Sequence, residues 1–262
     1  SAYADVLLPG VTFAEKTGTY TNTERKVQMV HQAISERGDA HQDWQTTSDI
    51  ANRIIARGGR EITDAPYSSW DYANSDEIMA EIAALTPSYG GISHQRLNNG
   101  EVLSWPCPDP SHPGTPILHV DKFARGKGKF MPAIHLDPSE LPDDEYPMML
   151  TTGRVIYHWH SGEQTRRVKE LMEIYGHTLI EISPKDASLI GLTEEINKVK
   201  VTSRRGEIIA HAWVTNRVPE GLIYGNFHFP EANINYLTKA ALDPIAKIPE
   251  YKVSAVKIEA VE

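Results

Sequence analysis

The sequence predicts a two-part chain, an α/β region over residues 1–90 and a compact β-barrel over residues 141–262, joined by a proline- and glycine-rich connector over residues 91–140. Three observations carry this. Apolar residues recur at helical spacing in the first part. Proline density rises sharply between Gly90 and Pro132. After Leu141, short β-prone runs follow one another at turn residues, with one helical segment between them, a pattern that suits a closed barrel better than an open sheet.

The first element, ADVLLP, reads as a short buried strand stopped by Pro9, and EKTGTYTNTERKVQMV as a glycine turn followed by an alternating β-prone run. DWQTTSDIANRIIA carries Trp44, Ile50, Ile54 and Ile55 on a helical repeat, with Asp43 as N-cap and Gly58-Gly59 as the stop. A second helix is expected over Ser75 to Leu85, ending before Pro87. SWPCPDPSHPGTPIL excludes regular structure, so the connector is expected to be ordered by apolar anchors: Trp105, Ile117, Leu118, Phe123 and Phe130.

In the last part YPMMLTTGR, HTLIEISP, NKVKVTSRRGEIIAHAWVT and GLIYGNFHF read as strands. Arg205-Gly206 marks a hairpin turn, and PKDASLIGLTE a helix opened near Ser183-Pro184 and closed at Gly191.

At 262 residues and 40% apolar content the chain can bury a substantial core, and no apolar run approaches the ~20 residues that cross a bilayer. The opening SAYADVLLPG lacks the basic and apolar regions of a secretion signal and reads as the middle of a domain. A lone cysteine, Cys107, excludes an internal disulfide and any cysteine-ligated cluster built from this chain alone. A cytoplasmic setting is the expectation. The net charge of −9 argues against a nucleic-acid surface, although an anion can still be held locally by backbone N–H groups and a few cations.

The densest polar cluster is TTGRVIYHWHSGEQTRR, where a strand ends at Gly153 and presents Arg154, His158, His160 and Arg166. Glycine admits a phosphate to the backbone, while Arg and His supply charge-assisted hydrogen bonds. His158 and His160 would share a face on a strand, so a metal pair competes with an anion site and with a plain surface loop. A second cluster, NFHFPEANINYLT, offers Asn226, His228, Asn233 and Asn235, either to read a heterocycle's edge or to shape turns. A third, KIPEYKVSAVKIE, sets Glu250, Tyr251 and Lys252 before a terminal strand. Glycine-rich nucleotide signatures are absent, and no catalytic triad can be singled out among eleven histidines.

The order and spacing of these segments resemble the C-terminal stretch of molybdopterin-dependent formate dehydrogenases. ADVLLPG, EKTGTYTNTERKVQ and DW resemble the family's cofactor domain; WPCP, HPGTP and GKG, near Trp105, His112 and Gly126, resemble the formate dehydrogenase connector. LTTGR, SPKDASLIGL, VTSRRGEIIAHAWV, GLIYGNFHFPEANINYLT and DPIAKIPEYK resemble its dinucleotide-binding barrel. The resemblance implies part of an α/β cofactor domain followed by a six-stranded double-psi β-barrel. It implies a bis(molybdopterin guanine dinucleotide) carrying molybdenum or tungsten, with Thr152, Gly153, Arg154, His158, His160, His228, Asn235, Tyr251 and Lys252 as cofactor contacts.

It also implies that the iron-sulfur cluster, the metal's own ligand and the catalytic residues belong to an N-terminal polypeptide or to the rest of the same subunit. This chain would then hold no catalytic or metal-ligating residue, and an electron-transfer subunit would be a further partner. Two positions depart from the pattern: Val155 replaces an acidic residue of the family, and His160 replaces a serine. Nitrate reductases and formylmethanofuran dehydrogenases share the same barrel pattern, and a free-standing β-barrel binding module is the alternative outside the family.

Overall fold

The computed structural model describes residues 3–57 and 70–261. It divides into two compact units, Ser1–Met131 and Pro132–Glu262. The expected stop at Gly58-Gly59 lies outside the described residues.

In the first unit EKTGTYTNTERKVQMV folds into an antiparallel hairpin of β1 (Gly18–Thr21) and β2 (Lys26–Val30), with Gly18 paired to Val30 and Thr21 to Val27. Arg25 takes a positive φ of 65° in the turn, and its guanidinium donates to the carbonyls of Trp105, Thr115 and Pro116. Two helices follow, α1 (Asp43–Ala56) and α2 (Ser75–Leu85). The cap of α1 is Gln42, one residue earlier than expected, which frees Asp43 to pair with Lys16 at 2.8 Å. Asn74 caps α2 through the amides of Asp76 and Glu77.

The proline-rich stretch begins as structured chain. Helix α3 (His94–Asn98) and strand β3 (Leu103–Ser104), which extends the sheet beside β2, deliver Leu97, Leu103 and Cys107 to a small core with Val27, Met79 and Ile92. Cys107 is fully buried. The chain at Gly91 lies so close to the Asp109 carbonyl that a Cβ there would sit 2.0 Å from its oxygen.

Two expectations fail in this unit. ADVLLP is not a buried strand: Val6, Leu7 and Leu8 are exposed, and the only pairing nearby among the described residues is one bridge, Gly10 to His41. A strand needs a ladder, and no neighbour is offered there. Ile117, Phe123 and Phe130 do not anchor the connector; all three are exposed, and no helix or strand is formed between β3 and residue 148 among the described residues.

The second unit is a closed six-stranded barrel of β4 (Met148–Gly153), β5 (Leu179–Ile182), β6 (Lys198–Thr202), β7 (Glu207–Val214), β8 (Leu222–Asn226) and β9 (Ser254–Val261). Its order around the wall is β4-β8-β5-β7-β6-β9. The β4/β8 and β5/β7 pairs are parallel and the rest antiparallel. Alternate residues point inward, so Leu150, Ile180, Ile182, Val199, Val201, Ile223 and Val256 fill the interior. Two short helices, α4 (Lys169–Ile174) and α5 (Pro184–Leu189), lie between strands. Ser183 caps α5, and Gly191 with φ 75° follows its end, as the sequence predicts.

Candidate functional site

Strands β4 and β8 run parallel, with Thr152 beside Gly225 and Gly153 beside Asn226, so both lead into loops at one end of the barrel. The segment before β9 joins them. Thr152 is buried and donates its hydroxyl to the Tyr251 carbonyl at 2.9 Å, while Lys252 Nζ donates to the Thr152 carbonyl. Three segments far apart in sequence therefore meet here: Thr152–Arg154, Gly225–Asn226 and Tyr251–Lys252. Gly153 is required by packing: a Cβ there would fall 2.6 Å from the Tyr224 ring. The Tyr224 hydroxyl in turn donates to the Arg154 carbonyl at 2.8 Å.

Arg154 lies over the Phe227 ring, and its guanidinium has no carboxylate partner among the described residues; the same holds for Lys252 Nζ. Asn235 is exposed in the 3-10 turn Ile234–Tyr236; its backbone is bonded, and its side-chain amide is without a partner among the described residues. A charge-dense anion needs such un-neutralised cations and open donors.

The two histidines have a different character. His228 is fully buried, accepts the Val155 N–H at its Nε2 (2.9 Å), and donates from Nδ1 to the His160 carbonyl. Burial pushes its pKa below the usual histidine range, assisted by nearby His158, Arg154 and His160 and opposed by the bond to that carbonyl. His158, also buried, donates from Nε2 to the Tyr175 carbonyl at 2.6 Å and accepts from Thr165 at Nδ1. The opposite tautomers follow from which partner is a carbonyl and which a donor. Asn226 closes the network, donating to the Tyr175 hydroxyl and accepting from the His228 N–H.

Residues 154–161 form turns, not a strand, so His158 faces inward while His160, with φ 47°, is exposed. The two do not share a face. Among the described residues no three metal-ligating side chains converge.

Beside this loop lies a cavity of about 630 Å³ walled by Tyr157, Tyr175, Trp213 and Tyr224, with Arg154 and Arg217 at its edge and Glu181 within. Burial raises the Glu181 pKa despite Arg217 at 3.3 Å, and burial lifts Tyr175 to about 12. Tyr224, Tyr175 and Glu181 escape the sequence reading. Glu181, a charge in the middle of the apolar run LIEI, is the one with a visible signal.

Comparison with known proteins bears directly on this end of the barrel. A family model described as a Molydopterin dinucleotide binding domain matches residues 148–255, and one for molybdopterin oxidoreductases matches residues 1–53. The chain belongs to the molybdopterin oxidoreductases. It is 45% identical to an F420-dependent formate dehydrogenase subunit alpha of Methanocaldococcus jannaschii, over 98% of this chain and 37% of the relative. It is 41% identical to F420-dependent formate dehydrogenase 1 subunit alpha of Methanococcus maripaludis over 98% of this chain and 36% of the relative. An assimilatory nitrate reductase catalytic subunit of Bacillus subtilis is 33% identical over 98% of this chain and 36% of that protein.

The chain thus spans little more than a third of the length of these relatives. The fold matches that of acetylene hydratase from Pelobacter acetylenicus with a TM-score of 0.68 at 17% identity, covering 97% of this chain and 38% of that one. The second unit is accordingly the family's six-stranded double-psi barrel, and the molybdopterin dinucleotide is the ligand class its binding domain takes. No helix among the described residues is long and apolar enough to cross a membrane.

Proposed function

We propose that this chain is the C-terminal, cofactor-holding portion of a cytoplasmic formate dehydrogenase catalytic subunit. The observation that carries the reading is the 45% identity to a formate dehydrogenase alpha subunit across 98% of the chain. The B. subtilis nitrate reductase stands further off, at 33%. In this reading residues 1–90 belong to the α/β cofactor domain, 91–140 connect, and 141–262 are the dinucleotide-binding barrel.

The cofactor is a bis(molybdopterin guanine dinucleotide) with molybdenum or tungsten. The barrel end fits it: Arg154 and Lys252 are cations without carboxylates among the described residues, and the Asn235 amide is open. Thr152, Gly153, Arg154, His160, Asn235, Tyr251 and Lys252 would hold pterin and phosphate. His158 and His228, whose ring nitrogens are all engaged within the chain, belong to the same site as the supports that shape its loop. When bound, the cofactor would supply the two-electron acceptor for oxidation of formate to carbon dioxide and a proton. The chain contributes binding, orientation and charge balance, while the iron-sulfur cluster, the metal's own protein ligand and the route to an electron-transfer subunit lie in polypeptide outside it.

The experiment is mass spectrometry for pterin guanine dinucleotide, with elemental analysis for Mo and W, on the chain purified with the polypeptide that completes it. Arg154→Leu and Lys252→Met should each reduce cofactor retention about tenfold, the worth of one lost charge-assisted hydrogen bond. Full retention in the double variant, or a complete enzyme that oxidises another substrate and not formate, overturns the reading.

A further inference from the structure

A second polar cluster lies on the barrel wall where β5 and β7 run parallel. Leu179 pairs with His211 across these strands, which brings His177, two residues earlier on the same face, onto His211 with ring centroids 4.2 Å apart. Lys198 of β6 is the direct cross-strand partner of His211 on its other side. These three line a cavity of about 470 Å³ together with Arg166, Thr178 and Glu231.

The cluster is unusual in what it lacks. Neither imidazole makes a hydrogen bond, and Lys198 Nζ has no carboxylate, among the described residues. The cavity's one carboxylate, Glu231, is paired with Arg166, whose Nε is buried without a partner. Like charges placed opposite each other across a hairpin are destabilising, and a lysine facing an imidazole gains nothing by itself. Three adjacent donor groups without acceptors form a complementary surface for an oxyanion. A divalent cation, which two histidines alone could attract, is disfavoured by Lys198 and Arg166 alongside.

We propose that this cavity binds a phosphate group, held by His177, His211 and Lys198. The arrangement of the side chains carries this, independently of the cofactor assignment. Burial holds His211 below the usual histidine range, with His177 and Lys198 adding to the effect. An arriving phosphate reverses that balance and favours protonation of His211, so binding of the dianion takes up a proton at the site. Arg166 and Glu231, the other charged groups facing the cavity, stay ion-paired and do not change the sign.

The test is calorimetric titration of the full chain with inorganic phosphate and with guanosine diphosphate at pH 6 and 7.5, in two buffers of different ionisation enthalpy. One saturable site with proton uptake is expected, weakened about tenfold by His211→Gln and several-fold by Lys198→Met. His177→Gln, at an exposed side chain, keeps the test open if a His211 variant does not fold. Phosphate binding alone identifies a free oxyanion as the ligand. Displacement of phosphate by tighter-binding guanosine diphosphate, with the same variant pattern, identifies a nucleotide's phosphate. Absence of saturable binding of either, affinity indifferent to all three variants, or stoichiometric zinc on the histidines without phosphate binding overturns the proposal.

Discussion

The barrel and the first unit solve the same problem to different degrees. In the barrel every strand has two hydrogen-bonded neighbours, and one cluster from Met148 to Ile258 fills the interior. In the first unit the sheet order is β1-β2-β3, so β1 pairs on one side only among the described residues, and an apolar groove of about 360 Å³ lined by Trp44, Ile78 and Ile82 runs along it. Val6, Leu7, Leu8, Ile50 and Ile54 remain exposed in that unit. Closure removes edges and buries apolar surface at once; an open three-stranded sheet achieves neither by itself. The barrel is therefore a self-consistent fold, whereas the first unit leaves apolar surface and a sheet edge open among the described residues.

The sharpest way to break this contrast is to truncate an isomeric side chain in each unit. Leu150→Ala, at a fully buried barrel position, should cost about 3 to 5 kcal/mol, read as a fall in the urea midpoint. Ile54→Ala, on the exposed face of α1, should change stability by no more than about 0.5 kcal/mol. Comparable losses at the two positions would mean that the Ile54 face of α1 is covered in solution and the contrast is wrong.

A smaller effect is expected where charge pins chain onto the barrel. Burial alone would raise the Glu140 pKa, but hydrogen bonds from Arg205, the Ala255 N–H and Arg204 pull it down to about 2 from 4.5. A depressed carboxylate contributes its stability above the unfolded value and loses it as pH falls through the folded one. The Glu140 contribution, roughly 2 to 3 kcal/mol, should thus be whole at neutral pH and fade between about 4.5 and 2. Glu140→Gln should remove it at pH 7 and flatten the acid limb of the stability profile; an unchanged limb would show that the Arg204 and Arg205 contacts contribute nothing to folding. No counterpart of this network exists among the described residues of the first unit, where the ion pairs are single.

The same contrast explains what could be read in advance. Alternation and turn residues are local signals, so every barrel strand, the Arg205-Gly206 hairpin and the Ser183-capped helix were visible, as were α1 and α2 of the first unit but not its short α3. ADVLLP was misread because apolar content marks a residue that wants burial and cannot supply the partner strand. At the site, the charged and glycine positions 152–154 and 251–252 were visible as polar residues at strand ends. Their meeting depends on the parallel β4/β8 pairing, a long-range contact without local trace. Tyr224 was invisible for the same reason, since its role is to touch Gly153 across the barrel end, and Asn226 was visible as an amide but not as the partner of Tyr175.

The smallest predicted effect isolates the loop that the barrel supports. His228 must be neutral to accept the Val155 N–H, and its burial-depressed pKa keeps it so. A base with a folded pKa below its ordinary 6.5 contributes stability that is present above that value and is lost as pH falls from 6.5 toward the folded pKa. Hydrogen exchange at the Val155 amide should therefore accelerate as the pH is lowered below 6.5, beyond the intrinsic pH dependence of exchange, while amides inside β4 stay protected. His228→Gln, whose side-chain oxygen can take the place of Nε2, should retain protection at neutral pH and abolish the extra acid response; His228→Ala should lose protection at every pH. Equal protection in all three proteins would show that the loop is held by the Tyr224 and His158 contacts alone, and that the barrel end is rigid without its buried imidazole.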